Sequence, residues 1–139
     1  MPKKIVNLFS RYFLETVSGW RIIHWMATAV VLWLSFLFFL PGDTFKLSPA
    51  YTYFADTMRE ERWAIAFLIV GVVGLMSGAS TDLHLKIIGS MLLSIAHGVF
   101  ATLLFLGAPL STGSGTYAFI AIVTTLRLWR LVKVKSHDG

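Results

Sequence analysis

The chain lacks cysteine and carries little charge. None of its 139 residues is cysteine, which excludes disulfide bonds and thiolate chemistry. Only 14% of the residues are charged, whereas a soluble domain usually has about 25%. The hydrophobic content of 56% and the mean hydropathy of +0.73 indicate a single domain that sits mostly in a bilayer. A sizeable water-soluble core is therefore excluded.

Motifs of known reactive sites are also absent. The sequence has no HExxH, no glycine-rich phosphate loop, no Ser/His/Asp set and no pair of carboxylates within an apolar segment. We therefore expect no enzymatic activity, no metal and no cofactor. The net charge of +5 does not indicate a nucleic-acid partner, because the basic residues flank apolar segments as topology signals do.

Four apolar segments organise the chain. Residues 22–40 contain no charged side chain, and a helix of that length spans about 28 Å, close to the roughly 30 Å of bilayer hydrocarbon. Because this segment is long and no small-residue cleavage site follows it, we interpret it as a retained span rather than a signal peptide. We predict an all-α integral membrane protein, a bundle of four transmembrane helices at residues 22–40, 63–79, 87–107 and 117–132.

Two polar segments flank the first span. Residues 1–18 place apolar residues at helical spacing, which predicts an amphipathic helix in the membrane interface, broken at Ser18–Gly19 before the span. A basic topogenic tail is the alternative. Residues 41–62 form an outer connection in which Ser48 precedes Pro49, a pattern typical of a capped helix start. We predict a helix from about residue 49 that lies along the membrane surface.

Basic residues are distributed unevenly between the two ends of the spans. Nine lie on the side of the two termini, and three lie on the other side. The first group is Lys3, Lys4, Arg11, Arg21, Lys86, Arg127, Arg130, Lys133 and Lys135, and the second is Lys46, Arg59 and Arg62. The positive-inside rule then predicts that both termini are cytoplasmic and that residues 41–62 and 108–116 are outside.

Small residues recur on two of the predicted spans. Gly71, Gly74 and Gly78 include a small-x-x-x-small pattern, which favours close helix packing within the chain or, alternatively, contact with another subunit. In the third span, Ser90, Ser94, His97 and Ala101 fall on one helical face. We expect packing or homo-oligomer contacts at Gly71, Gly74, Gly78, Ser90, Ser94 and Gly98.

Two further groups are candidate sites. His97 lies near mid-membrane, where an ionisable group indicates a polar path, or else a neutral imidazole bonded to a nearby hydroxyl or carbonyl. A bis-histidine haem with His24 is not favoured, because His24 lies near one membrane edge. The densest charge is Asp56, Arg59, Glu60, Glu61 and Arg62. This cluster either faces a partner or is a solvated surface with local ion pairs.

Several motifs carry a family resemblance. They are LPGDTF at 40–45, SPAY at 48–51, EERW at 60–63, the glycine run at 68–75 and STGSGTY at 111–117. In this respect the chain resembles, over about residues 36–132, a family of small bacteriophage membrane proteins. That family has a PGDTF-x-x-SPxY hairpin, an E-x-x-WG motif before the next span and an STG-x-x-TY motif before the last. The chain departs from the pattern at Ala64, where the family has glycine, and at Met76, where it has arginine.

The resemblance implies a phage-encoded protein of the host bacterial inner membrane, and some family members are called holin-like. We therefore expect a pore-forming protein that acts by homo-oligomerisation. One alternative is a non-lytic binding module, used in superinfection exclusion or as a membrane anchor for a phage or host membrane protein. The other alternative is a small channel or transporter.

Overall fold

The computed structural model describes the backbone of residues 3–42 and 44–137, with the side chains of residues 19–42 and 44–133. This part of the chain is helical and contains no strand, so the all-α fold class is confirmed. The α-helices are α1 Lys3–Phe39, α2 Thr52–Thr57, α3 Glu60–Ala79, α4 Leu83–Gly107 and α5 Thr112–His137. Two single 3-10 turns, Thr44–Lys46 and Pro49–Tyr51, precede α2.

Three stretches of helix are long and apolar enough to cross a bilayer. They are Gly19–Phe39, Glu60–Ala79 and Leu83–Gly107. In the most apolar part of each stretch, the buried share is 39%, 33% and 44%, respectively. Most of each span is therefore both apolar and outward-facing, as Trp33, Ile69 and Ile95 illustrate. An apolar surface of this extent is stable only against lipid, so the chain has the character of a membrane protein.

Helix α1 is longer than expected. Its backbone runs without interruption from Lys3 to Phe39, so the predicted break at Ser18–Gly19 is wrong. A single glycine costs a helix only about 1 kcal/mol relative to alanine, and the long helix on both sides absorbs that cost. The side chains of the predicted interfacial helix at residues 1–18 lie outside the described residues, so its amphipathic face stays a prediction.

The four long helices form a bundle in which sequence neighbours lie side by side. Helix α1 packs on α3, α3 on α4, and α4 on α5, whereas α1 contacts α4 and α5 much less. The connections at residues 80–82 and 108–111 are short, which makes α3, α4 and α5 antiparallel to their neighbours. Polar contacts fix the register, since Ser35 Oγ donates to Ala64 O at 2.8 Å between α1 and α3.

The outer connection folds over one end of the bundle. Ser48 caps the turn that starts at Pro49, accepting a hydrogen bond from Ala50 N. The helix predicted from about residue 49 corresponds to this turn and α2, in which Phe54 is fully buried against Phe100, with 4.8 Å between ring centroids. Its position along the membrane surface stays a prediction. Met58 and Arg59 adopt extended ψ angles of 150° and 147°, which separates α2 from α3.

Aromatic side chains hold this outer connection, the hairpin at residues 40–59, to the bundle. Trp63 packs against Phe54 at 5.3 Å and donates from Nε1 to the Phe54 carbonyl at 3.1 Å. The cluster comprises Phe38, Phe45, Tyr51, Phe54, Trp63, Phe67, Phe100 and Tyr117. Burial raises the pKa of Tyr51, so its hydroxyl stays neutral.

Candidate functional site

The glycines of α3 lie against α1. A Cβ on Gly71 would come within 2.3 Å of a Leu32 methyl, and one on Gly74 within 2.8 Å of the Thr28 hydroxyl. At Gly78 the added atom would meet the ring of Trp25 at 2.9 Å. The structure therefore uses these three residues for packing inside the chain. Their face is covered by α1 and is closed to a second copy.

A layer of polar side chains crosses the bundle at the end that carries both termini. His24 of α1 donates from Nε2 to the Gly74 carbonyl of α3 at 2.8 Å and lies 3.1 Å from Ser77 Oγ. Ser77 in turn contacts α4, where a Cβ on Gly89 would overlap its hydroxyl. Helices α1, α3 and α4 thus meet around the buried hydroxyl of Ser77.

Helix α5 brings a cation to the same layer. Ser94 of α4 contacts both Ala121 O and Thr125 Oγ1 of α5. Because α4 and α5 are antiparallel, this register places Ser90, one turn earlier on α4, opposite Arg127. The Arg127 side chain is only 8% exposed, and it interacts electrostatically with His24. Arg127 was counted among the basic residues at the ends of the predicted spans, and the structure places its side chain in the interior of the bundle.

Four polar atoms near this layer are buried without a hydrogen-bond partner in the part of the chain that the structure describes. They are Arg127 Nη1, Ser90 Oγ, His24 Nδ1 and Trp20 Nε1. We call this group the buried polar cluster. The sequence did not predict this cluster, because neither the pairing of α1 with α5 nor the depth of Arg127 is visible in the sequence.

His97 lies elsewhere, two turns further along α4 than Ser90. It is 1% exposed, its Nδ1 donates to the Leu93 carbonyl at 2.8 Å, and its ring lies 6.3 Å from that of Tyr117. This geometry matches the interpretation of a neutral imidazole bonded to a carbonyl. His24 and His97 are about 10 Å apart in height along the bundle, so the structure does not bring them together as two ligands of one haem.

One small-residue surface remains open to the outside. On α4 it consists of Ser94, Gly98 and Thr102, and a Cβ on Gly98 would meet nothing within 4 Å. On α5 it continues through Gly115, Ala118 and Thr125, and Gly115 is equally open. We call these six residues the α4–α5 seam. At its outer end a groove of about 530 Å³ is lined by Thr102, Gly115 and Ala118.

The predicted homo-oligomer residues are therefore divided between two environments. Gly71, Gly74 and Gly78 pack against α1, and Ser90 is buried at 1% exposure. Ser94 and Gly98 lie on the open seam. The two groups differ in whether another helix of the chain covers them. The order of helices around the bundle decides this, and the sequence pattern alone does not reveal that order.

The charged residues at 56–62, where the outer hairpin joins α3, make different contacts. Arg59 and Glu61 form an exposed ion pair at 3.0 Å, whereas Glu60 accepts a hydrogen bond from Thr44 N at 3.1 Å and so ties the hairpin to α3. Asp56 and Arg62 are exposed. A cleft of about 470 Å³ lies between Phe39, Pro41, Lys46, Met58 and this ion pair.

Comparisons with known proteins were made for the whole chain. No family model, curated protein or solved structure matches it. Among the described residues, no three histidine or acidic side chains gather as they would around a metal ion. The proposed function therefore rests on the arrangement of the chain's own residues.

Proposed function

We propose that the chain is a four-span protein of the bacterial inner membrane, encoded by a phage, that self-associates through the α4–α5 seam and permeabilises the membrane in a holin-like way. The open seam is the observation that carries the proposal. Small residues let two backbones approach closely in lipid, where packing and hydrogen bonds rather than hydrophobicity drive association.

The relation between α4 and α5 supports a fourth span. Helix α5 has 26 residues against 25 in α4, and the two pack along their length. If α4 crosses the bilayer, its antiparallel neighbour of equal length crosses it too. Arg127 is accommodated because its guanidinium is buried among helices rather than exposed to lipid. Four spans return both termini to the same side.

Pairing of the seam supplies a route for leakage. The hydroxyls of Thr102 and Thr125 lie on outward-facing positions of the seam, and each donates to a carbonyl of its own helix. In a monomer these hydroxyls face lipid tails. When two copies pair at the seam, hydroxyls from both line one contact that runs through the depth of the membrane, and water follows such a polar contact more readily than a purely apolar one.

The test is expression in bacteria with a fluorescent dye that reports membrane potential. The wild-type chain is expected to collapse the potential, and Gly98→Leu is expected to abolish the effect because the leucine fills the seam. Val99→Leu, on the next position and a different face, is the matched control and should behave as wild type. Growth with intact potential at high wild-type expression rejects the proposal.

A non-lytic binding module is the second candidate, and the exposed Arg59–Glu61 pair beside the hairpin cleft favours it. Reversing both charges, Arg59→Glu with Glu61→Arg, should then abolish capture of a membrane partner without changing ion leak. A small channel through His97 has less support, because that ring is packed against Tyr117 in the core.

A further inference from the structure

The buried polar cluster has an excess of unused hydrogen-bond donors. Arg127 Nη1 and Trp20 Nε1 can only donate, and Ser90 Oγ donates as readily as it accepts. His24 donates from Nε2 to the Gly74 carbonyl, so Nδ1 of the neutral ring is an acceptor and does not add to these donors. Buried donors without partners are rare in folded proteins, and each costs about 1–3 kcal/mol. Several at one level of a bundle indicate a group that is bound there.

Among the residues whose side chains the structure describes, no acid lies at this depth. The acidic residues nearest along the helices are Glu15, nine residues from His24, and Asp82, eight residues from Ser90. Those separations correspond to about 12–14 Å along a helix axis. Helices α4 and α5 contain no aspartate or glutamate between Leu83 and His137. No acid with a described side chain is therefore placed to compensate Arg127, and we expect the anion to come from another molecule.

Helices α1 and α5 are packed more loosely than the helices that are neighbours in sequence. These two helices contact each other much less than α1 contacts α3 or α4 contacts α5. Trp20 of α1 and Arg130 of α5 contact each other across this interface, with the Arg130 guanidinium 5.4 Å from the Trp20 ring centroid. This contact lies close to Gly19, where the first apolar stretch starts.

From these observations we infer that the buried polar cluster binds a phosphate group between α1, α4 and α5. Arg127 supplies the charge, and Ser90 and Trp20 donate hydrogen bonds to the phosphate oxygens. Arginine suits phosphate because its planar guanidinium places donors in a fixed fork. A phospholipid headgroup and a free phosphate ion present the same oxygens. This inference is independent of the proposed pore-forming function, since it concerns a different face of the bundle.

The test is native mass spectrometry of the full chain in mild detergent, titrated separately with phosphatidylglycerol, phosphatidylethanolamine, diacylglycerol and inorganic phosphate. The wild type is expected to bind one molecule of either phospholipid and not diacylglycerol, which lacks the phosphate. Arg127→Gln should weaken binding about tenfold or more, the usual loss for a hydrogen bond to a charged group. Lys86→Gln removes one positive charge at the same end of the bundle and should leave binding unchanged.

The titrations with phospholipid and with inorganic phosphate distinguish the two sources of the phosphate group. If inorganic phosphate binds and displaces the phospholipid, the site takes the free ion. If the phospholipid stays bound in excess phosphate, the site takes the headgroup. Should Arg127→Gln fail to fold, Ser90→Ala removes a single hydroxyl and is expected to weaken binding several-fold. Equal binding of diacylglycerol, no adduct on the wild type, or unchanged binding by the folded variants overturns the inference.

Discussion

Two glycines of α4 differ in what surrounds them. A Cβ on Gly107 would lie 2.4 Å from the Ala50 carbonyl oxygen, a backbone atom of the outer hairpin, whereas Gly98 has open space. Gly107→Ala is expected to lower the free energy of unfolding by about 1–3 kcal/mol, because the hairpin backbone has to move. Thermal unfolding in detergent measures the change as a lower Tm.

Gly98→Ala is the matched control on the same helix. Its methyl group meets nothing, and alanine is favoured over glycine in a helix by up to about 1 kcal/mol, so the Tm should stay constant or rise. Equal losses at both positions would contradict the close approach of the hairpin to α4.

Arg127 is a residue whose effect on stability depends on what is bound. In detergent depleted of phospholipid and phosphate, the buried guanidinium has no anion to compensate its desolvation. Arg127→Met is therefore expected to raise the Tm by a few degrees under those conditions, since a buried unpaired charge costs several kcal/mol. Adding phosphatidylglycerol should raise the Tm of the wild type and not that of the variant. A lower Tm for the variant in both conditions would contradict this account.

At the scale of elements, the outer hairpin depends on one inserted side chain. Phe54 is fully buried, and its neighbour Tyr53 is 43% exposed. Phe54→Ala should destabilise the fold by about 3–5 kcal/mol and expose residues 40–59 to protease, while Tyr53→Ala leaves both unchanged. Limited proteolysis followed by mass spectrometry locates the cut. Resistance of Phe54→Ala to protease would show that the hairpin is held in another way.

Local signals in the sequence predicted some elements well, and tertiary contacts decided the others. Ser48 caps the turn at Pro49 as predicted, and such a cap needs only a neighbouring backbone amide. The break at Gly19 was wrong because a glycine alone does not end a long helix. The helix of the outer hairpin was predicted from Ser48 and Pro49, but the burial of Phe54 depends on long-range contacts with Trp63 and Phe100 that the sequence does not reveal.

At the scale of the whole molecule, the two stripes of small residues look alike in the sequence. Gly74 is covered by Thr28 of α1, whereas Gly98 faces outward, and only the order of helices around the bundle separates them. The buried polar cluster was missed for the same reason, since it combines single residues from helices far apart in the chain. The sequence shows which residues are small or polar. The pairing of the helices determines which of these residues can contact another molecule.

The proposed arrangement of four spans predicts where labels react. Because the chain has no cysteine, Leu110→Cys introduces one thiol at the fully exposed tip of the α4–α5 connection. A membrane-impermeant maleimide should label it from outside in intact bacterial cells or spheroplasts. Tags at the two termini should react only after the membrane is opened. Labelling of one terminal tag from outside would place the ends in different compartments and rule out four spans.

The most direct test of the account is disulfide formation between single cysteines in native membranes. Gly98→Cys lies on the α4–α5 seam, and Leu68→Cys lies at a matching depth on the exposed face of α3, as the Ser77–Gly89 contact sets the register. On mild oxidation we expect a covalent dimer from Gly98→Cys and little from Leu68→Cys. Dimer formation by Leu68→Cys alone, or equal yields from both, would contradict self-association through the seam.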